Sequence, residues 1–260
     1  GGSFAINVQE NNWLGQGKKV GFEIEVDQES LAGTLSYTNP NYNFLGNSLS
    51  YYISSENNDK PDQGYENSLI SGGISTSFEQ YKDVGLTLGL DLSYDDLRTD
   101  SIASDSLKKQ SGSFTELSGL YGFTVDKRNR AFNPTDGSIL KFSQSAPFYA
   151  DKSFLSNQFS VSGYKTLSED VIGASKFFLS TINGLGSDDV RLSKRRSLST
   201  KRIRGFERNK IGPVDGSDHI GGNYAASLNL ETNLPNLLPE DSVKDSVNSF
   251  LGLKMQHNYT

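Results

Sequence analysis

The sequence contains no cysteine and only two histidines, and these shortages exclude several kinds of protein. Without cysteine the chain forms no disulfide, holds no thiolate-bound metal and uses no cysteine nucleophile. His219 and His257 are too few for a histidine-based zinc site of the usual kind. The sequence also contains no serine–histidine–aspartate spacing and no nucleophile elbow. It therefore favours a protein that is not an enzyme and that needs no metal or cofactor.

Long hydrophobic runs are also missing. No stretch approaches the roughly 18 consecutive apolar residues of a membrane helix. The segment from Gly1 to Phe4 is already strand-like, so a targeting segment of an exported form is expected to lie outside this sequence. The net charge of −6 argues against general binding of nucleic acid, and no nucleic-acid partner is expected. Gly221, Gly222 and Asn223 are not a phosphate loop, because no Gly-Lys-Ser/Thr follows them.

The dominant pattern that is present is an alternation of apolar and polar residues. It is strict over 20–27, 84–95 and 224–231. Alternation gives a strand one apolar and one polar face. Several runs approach the roughly 9–11 residues that a strand needs to cross a membrane. The low mean hydropathy, −0.51, is compatible with this, because only alternate residues of such strands meet lipid.

The sequence therefore predicts an all-β fold, an antiparallel transmembrane β-barrel with about twelve strands in this chain. The strands are expected near 3–11, 19–28, 32–38, 47–54, 68–78, 84–95, 114–126, 138–145, 154–166, 171–182, 223–233 and 246–253. The connections near 12–18, 39–46, 79–83 and 167–170 are short, whereas those near 55–67, 96–113 and 183–222 are long. Asp95, Asp96, Asp188 and Asp189 are expected in loops, as solvated carboxylates.

Turn and loop motifs follow one another in a fixed order. An early turn contains Trp13, Leu14 and Gly15, and a later one contains Asn133, Pro134, Thr135, Asp136 and Gly137. In the second turn, proline fixes φ and Asp-Gly supplies a side-chain acceptor and a positive φ. The longest loop contains Arg204, Gly205 and Phe206, then Ile211, Gly212 and Pro213, then Gly221, Gly222 and Asn223. Glu231 follows on the next strand.

This ordered set resembles the barrel domain of the BamA-type outer-membrane assembly factors, in the bacterial surface antigen superfamily. The resemblance extends over nearly the whole chain and implies that the two turn motifs, at 13–15 and 133–137, are periplasmic turns. It also implies that Arg204 reaches Glu231 inside the barrel. Residues 1–260 then form one barrel domain of about twelve strands out of sixteen. By the same comparison, the chain lacks the family's POTRA domains, its first strand and its last strands.

The longest loop is also basic, and three interpretations of this charge are open. It is a nucleic-acid or localisation patch, a solvated loop, or a loop folded into a lumen lined by carboxylates. The basic cluster of this loop consists of Lys194, Arg195, Arg196, Lys201, Arg202 and Arg204. The carboxylates on polar strand faces are Glu23, Glu25, Asp27, Asp91 and Glu231. The family resemblance favours the folded-in loop.

The function implied by the resemblance is the folding and insertion of β-barrel proteins into the outer membrane of a Gram-negative bacterium. The implied partners are outer-membrane lipid, unfolded outer-membrane protein clients and accessory assembly lipoproteins. Three alternatives remain at this point. The nearest is a related transporter, TamA-like or of the two-partner secretion type. The others are a passive porin and a soluble β-sandwich.

Overall fold

A computed structural model describes residues 4–169, 171–199, 202, 203, 206, 210–233 and 253–255. It consists almost entirely of β-strands. In chain order the strands are β1 (Phe4–Trp13), β2 (Lys18–Val26), β3 (Ser30–Asn39), β4 (Ser48–Lys60), β5 (Tyr65–Tyr81), β6 (Val84–Thr99), β7 (Gly112–Asp126), β8 (Gly137–Ala150), β9 (Phe154–Ser168), β10 (Val171–Gly184), β11 (Val214–Asp215), β12 (Asp218–His219), β13 (Tyr224–Asn233) and β14 (Leu253–Met255). The helical elements are α1 (Asp105–Lys108) and two 3₁₀ turns, Pro61–Gln63 and Leu192–Lys194.

Twelve strands form one antiparallel sheet in the order β1 to β10, then β13 and β14. Strands β11 and β12 form a separate hairpin within the connection between β10 and β13. In the part of the chain that the structure describes, β1 pairs with β2 alone. The predicted all-β antiparallel fold is confirmed, as a sheet that is open along β1. None of the described helices is long and apolar enough to cross a membrane.

The two faces of the sheet differ in polarity, as the alternation predicts. On β6, Leu88, Leu90 and Leu92 share the outer face, where each is about half exposed. Among their cross-strand partners, Ile74 of β5 and Leu117 and Tyr121 of β7 continue this apolar surface. On the opposite, inner face, Ser93 and Asp95 of the same strand are buried. A face of exposed leucines is unusual in water but is the expected lipid-facing surface of a membrane strand.

The structure corrects several expected boundaries. The connection expected near 55–67 is wrong, because β4 continues to Lys60 and β5 begins at Tyr65. The end of β4, residues 55–60, is polar on both faces, and Tyr65 at the start of β5 is followed by polar residues, so no apolar alternation marks these strand ends. Strand β6 extends to Thr99, and Asp95 and Asp96 therefore lie in a strand rather than a loop. Of the strand expected near 246–253, residues 246–252 lie outside the described residues, and β14 begins at Leu253.

The buried apolar residues gather at one end of the sheet, on its inner face. One cluster contains Tyr65, Leu97, Ala103, Leu107 and Leu192. A second contains Phe154, Ile182 and Val190. Both include residues of the connection 185–223, and the first also includes residues of the connection 100–111. The core is therefore formed by loops packed on strand ends, and it holds the longest loop in a defined place.

Candidate functional site: the long loop on the inner face

Backbone hydrogen bonds hold the end of the connection 185–223 to an earlier part of the same connection and to β10. The Arg196 amide donates to the Gly222 carbonyl at 2.7 Å, and the Gly222 amide donates back to the Arg196 carbonyl at 2.9 Å. The Ile182 amide of β10 donates to the Asn223 carbonyl at 2.8 Å. These bonds fix the returning end of the loop against its own first part. We call residues 185–223 the inner loop.

The glycine-rich motifs of the inner loop meet at this point. Gly221 has φ +71°, and a Cβ there would lie 3.0 Å from the Arg196 carbonyl oxygen. Any other residue at position 221 would therefore have a strained backbone conformation, and its Cβ would lie too close to the Arg196 backbone. The Ile220 amide donates to the Pro213 carbonyl at 3.1 Å, and a Cβ on Gly212 would lie 3.9 Å from Gly221 Cα. The hairpin β11–β12 therefore brings Ile211, Gly212 and Pro213 next to Gly221, Gly222 and Asn223.

Among the described residues of the inner loop, Arg191 is the most deeply buried cation, with a side chain only 3% exposed. Its Nη2 lies 3.3 Å from Glu116 Oε2, and its Nη1 lies 3.5 Å from Asp95 Oδ2. Its guanidinium carbon is 4.6 Å from the centre of the Phe114 ring and 5.4 Å from that of Phe154. The guanidinium charge is thus paired with two carboxylates, and its flat faces lie against two aromatic rings. Its Nε and Nη1 have no hydrogen-bond partner among the described residues.

The two carboxylates are themselves held by neighbours. Ser193 donates to Asp95 at 2.5 Å, and Asn67 donates to its other oxygen at 2.7 Å. Lys194 lies 3.3 Å from Glu116 Oε2, the same oxygen that Arg191 approaches. Burial lowers the pKa of Arg191, and the two carboxylates oppose that shift. Since arginine titrates near 12 or above, the group stays charged. We call Arg191, Lys194, Asp95 and Glu116 the inner ion cluster.

Further contacts hold the outer part of the inner loop to other strand connections. The Asp215 carboxylate accepts hydrogen bonds from Ser104 at 2.8 Å and Ser106 at 2.5 Å. These bonds lower the pKa of Asp215. Lys210 pairs with Asp62 at 2.6 Å. The inner loop is therefore attached both at the sheet surface and at the connections 61–64 and 100–111.

The other basic residues expected in a folded-in loop have different surroundings. Lys194 belongs to the inner ion cluster, whereas Arg195 lies 3.5 Å from Asp189 of the same loop. The guanidinium carbon of Arg202 lies 3.5 Å above the Phe178 ring of β10. Phe206 is 58% exposed. Lys201, Arg204 and Gly205 lie outside the described residues.

Glu231 lies on the inner face of β13, because its partner Ala174 shares that face with Lys176 and Phe178. Its carboxylate pairs with Lys176 at 2.6 Å. Asp91 accepts a hydrogen bond from the Tyr52 hydroxyl on the same face. Glu23 and Glu25 are exposed. In the part of the chain that the structure describes, the inner loop forms ion pairs with the sheet through Asp95 and Glu116, not through these four carboxylates.

Sequence reasoning missed Arg191 and Glu116 and placed Asp95 in a loop. The sequence did contain a signal that Asp95 belongs to β6, because Asp91, Ser93 and Asp95 are alternate residues and all three are polar. Arg191 has no such signal, since its role depends on how a loop of irregular structure folds back. Asp188 does lie in a loop, where it accepts a hydrogen bond from the Ser153 amide at 2.9 Å. No cluster of metal-binding side chains occurs among the described residues.

The two turn motifs lie at the end of the sheet opposite the inner loop. In the first, Leu14 and Gly15 have positive φ, and the Gly15 amide donates to the Asn12 carbonyl at 2.9 Å. Trp13 ends β1 and is half exposed.

In the second turn, the Thr135 amide donates to the Asn129 side chain at 3.1 Å. Asp136 pairs with Lys165, and Asn133 and Gly137 have positive φ. Pro134 lies between them. Both motifs therefore function as tight turns between neighbouring strands, which fixes strand register.

The fold and the inner loop together define a class of protein: an antiparallel sheet of membrane-barrel type with a long loop folded onto its inner face. The Omp85 superfamily domain model matches residues 12–247. The chain therefore belongs to the Omp85 superfamily.

Individual relatives agree with this assignment. The chain is 25% identical over 240 residues to the sorting and assembly machinery component 50 homolog of Bos taurus, covering 90% of this chain and 51% of that protein. It is 27% identical over 192 residues to the outer membrane protein assembly factor BamA of Neorickettsia risticii, covering 70% of this chain and 25% of that protein. The chain thus spans about half the length of the first of these relatives and a quarter of the second.

Solved structures show the same fold. BamA of Haemophilus ducreyi lacking POTRA domains 1–3 superposes with a TM-score of 0.78 at 23% identity, covering 92% of this chain and 52% of that one. CdiB of Acinetobacter baumannii superposes with a TM-score of 0.56 at 12% identity, covering 91% of this chain and 44% of that one.

Proposed function

We propose that this chain is the membrane sheet of a protein that folds and inserts β-barrel proteins into an outer membrane. The match to the Omp85 domain over 12–247 supports this, as do the names of relatives that are assembly factors. These relatives come from animals and from a bacterium, so the proposed location is a bacterial or a mitochondrial outer membrane. The proposed partners are membrane lipid, unfolded barrel clients and accessory subunits.

The position of the inner loop favours this proposed function over that of a passive porin. A porin needs an open aqueous path along its inner face. Here the inner loop packs on that face through Leu192 and Val190, which are 2% and 1% exposed, and through the inner ion cluster. A loop buried to this extent narrows the path at one end of the sheet.

The proposed mechanism is not enzymatic. Unpaired N–H and C=O groups along an open sheet edge offer a template to an incoming strand, which adds by β-augmentation. Local thinning of the membrane lowers the barrier further. The described sheet is proposed as the support of the strands that form this edge.

The test uses the full-length protein in liposomes and a small unfolded barrel as client. We expect the client to fold at least about tenfold faster than in empty liposomes, with no nucleotide added. Folding is followed by protease resistance and by the heat-dependent gel mobility of the folded barrel. An unrelated barrel of similar size in the liposomes is the control, and an equal acceleration by that barrel contradicts the proposal. A large, steady conductance in planar bilayers favours the porin instead.

A further inference from the structure

Arg196 is the second inward-directed arginine of the inner loop, and it differs from Arg191 in having no carboxylate beside it. Its Nη2 donates a hydrogen bond to the Ser156 hydroxyl of β9. Its Nε is closed off from solvent and has no hydrogen-bond acceptor in the described part of the chain. Among the described residues no Asp or Glu oxygen lies within 4 Å of its guanidinium nitrogens. Burial lowers the pKa of Arg196, and no carboxylate opposes that shift.

The guanidinium borders a cavity of about 320 Å³ between the inner loop and the sheet. Five hydroxyl-bearing residues line this cavity: Tyr52, Ser75, Ser118, Ser145 and Ser156. Its apolar lining includes Phe154, Ile182 and Leu120. Its charged residues are Arg196, Lys194, Asp91 and Glu116. The cavity therefore offers a cation, several donors and space for a small group.

The charges of the cavity are not all matched by direct contact. Glu116 is held by both Arg191 and Lys194. Asp91 accepts the hydroxyl of Tyr52. Among the described residues, the Arg196 guanidinium has one hydrogen-bond partner, the neutral hydroxyl of Ser156. An unpaired and partly desolvated cation is costly, and a bound anion removes that cost.

We propose that the Arg196 side of this cavity binds a carboxylate group, either of a small free acid or of a peptide chain terminus. A guanidinium receives a carboxylate through parallel N–H donors, and the neighbouring hydroxyls supply further donors. A phosphate, with a charge of about −1.5 to −2, fits less well, because Asp91 and Glu116 repel the additional negative charge. This site is separate from the proposed assembly activity and does not depend on it.

The experiment measures binding by calorimetry to the full-length protein in detergent. The probes are acetate, acetyl-triglycine with a free carboxylate, the same peptide as its amide, and inorganic phosphate. We expect saturable binding of the free-acid peptide, with the amide at least about tenfold weaker. Acetate binding as tightly as the peptide acid assigns the site to small acids, and tighter peptide binding assigns it to a chain terminus. Equal binding of acid and amide, or tighter binding of phosphate, overturns the proposal.

Two variants locate the site. Arg196→Gln is expected to weaken binding of the free acid at least about tenfold. Arg196→Lys is expected to retain only part of the binding, because an ammonium keeps the charge but lacks the parallel N–H donors of a guanidinium. Arg195→Gln is the matched control, because Arg195 is the adjacent cation but pairs with Asp189 within the loop. Equal loss in Arg195→Gln and Arg196→Gln contradicts the assignment. If Arg196→Gln increases protease cleavage of the inner loop, the comparison of acid and amide on the unaltered protein decides the question.

Discussion

Arg191 Nη2 lies 3.3 Å from Glu116 Oε2, although 75 positions separate the two residues in the sequence. Their side chains are 3% and 6% exposed. A pair buried to this extent gains little net free energy over an apolar pair, but it is costly to break from one side. Its main effect is therefore to fix where the inner loop lies on the sheet.

Replacement of Arg191 by alanine is expected to destabilise the full-length protein by about 3 kcal/mol, because Asp95 and Glu116 lose a shared cation. Urea unfolding in bilayers measures this change, and protease cleavage of the inner loop should increase in parallel. Arg98→Ala is the control, since Arg98 is 71% exposed and its pair with Asp96 is worth under about 1 kcal/mol. Similar effects of the two substitutions would show that the inner ion cluster does not anchor the loop.

The two faces of β6 should be destabilised to different extents by a new charge. Leu88 is half exposed on the outer face, whereas its neighbour Thr87 lies on the inner face next to Ser77. Leu88→Arg should cost about 2–4 kcal/mol if the site is near the bilayer midplane, because the charge meets lipid. Thr87→Arg should cost clearly less. The measurement is reversible folding into bilayers, and equal costs would contradict the assignment of the faces.

The turn at 127–136 should depend on glycine at one position. Gly137 has φ +92°, and a Cβ there would overlap the Lys127 carbonyl oxygen. Gly137→Ala should therefore shift the backbone and slow or prevent folding. Gly17→Ala is the matched control, because Gly17 also has positive φ, +66°, but no atom lies within 4 Å of its Cβ position. That change should cost only about 1 kcal/mol. Equal refolding yields for both variants would show that the overlap with the Lys127 carbonyl oxygen does not limit folding.

Much of this architecture follows from the sequence, and the exceptions have physical reasons. The alternation at 84–94 predicts β6 and the lipid-facing side of Leu88 and Leu90, because one face must be apolar. It does not mark the strand beyond Tyr94, where the outer positions Asp96 and Arg98 are polar and the apolar Leu97 lies on the inner face. The pair of Arg191 and Glu116 depends on the register of β7 and on the path of an irregular loop. Neither is contained in a local pattern.

The hydrogen bonds from Ser104 and Ser106 to the Asp215 carboxylate should weaken at low pH. Ser106 and Ser104 lower the pKa of this carboxyl in the folded protein. Its contribution to stability is therefore fully present above the unfolded pKa of about 3.9 and is lost as the pH falls through the lower folded value. Protease cleavage near 214–219 should rise below about pH 4 in the unaltered protein. Asp215→Asn should show a smaller pH-dependent rise, and an equal rise in both proteins would exclude Asp215 as the titrating group.

The family resemblance predicts that Arg204 and Glu231 are energetically coupled. Glu231 lies on the inner face and is held by Lys176 at 2.6 Å, so the carboxylate is already placed to receive a second cation. Arg204→Ala and Glu231→Ala should each increase protease cleavage of the inner loop and lower assembly activity. The double variant should be less harmful than the sum of the two single changes. Once one member of the pair has been replaced, replacing the other breaks no further contact between them. A parallel cycle with Lys176→Ala separates the contribution of the neighbouring lysine. Strict additivity for Arg204 and Glu231 would mean that the two side chains do not meet, and the coupling expected from the resemblance would then be wrong.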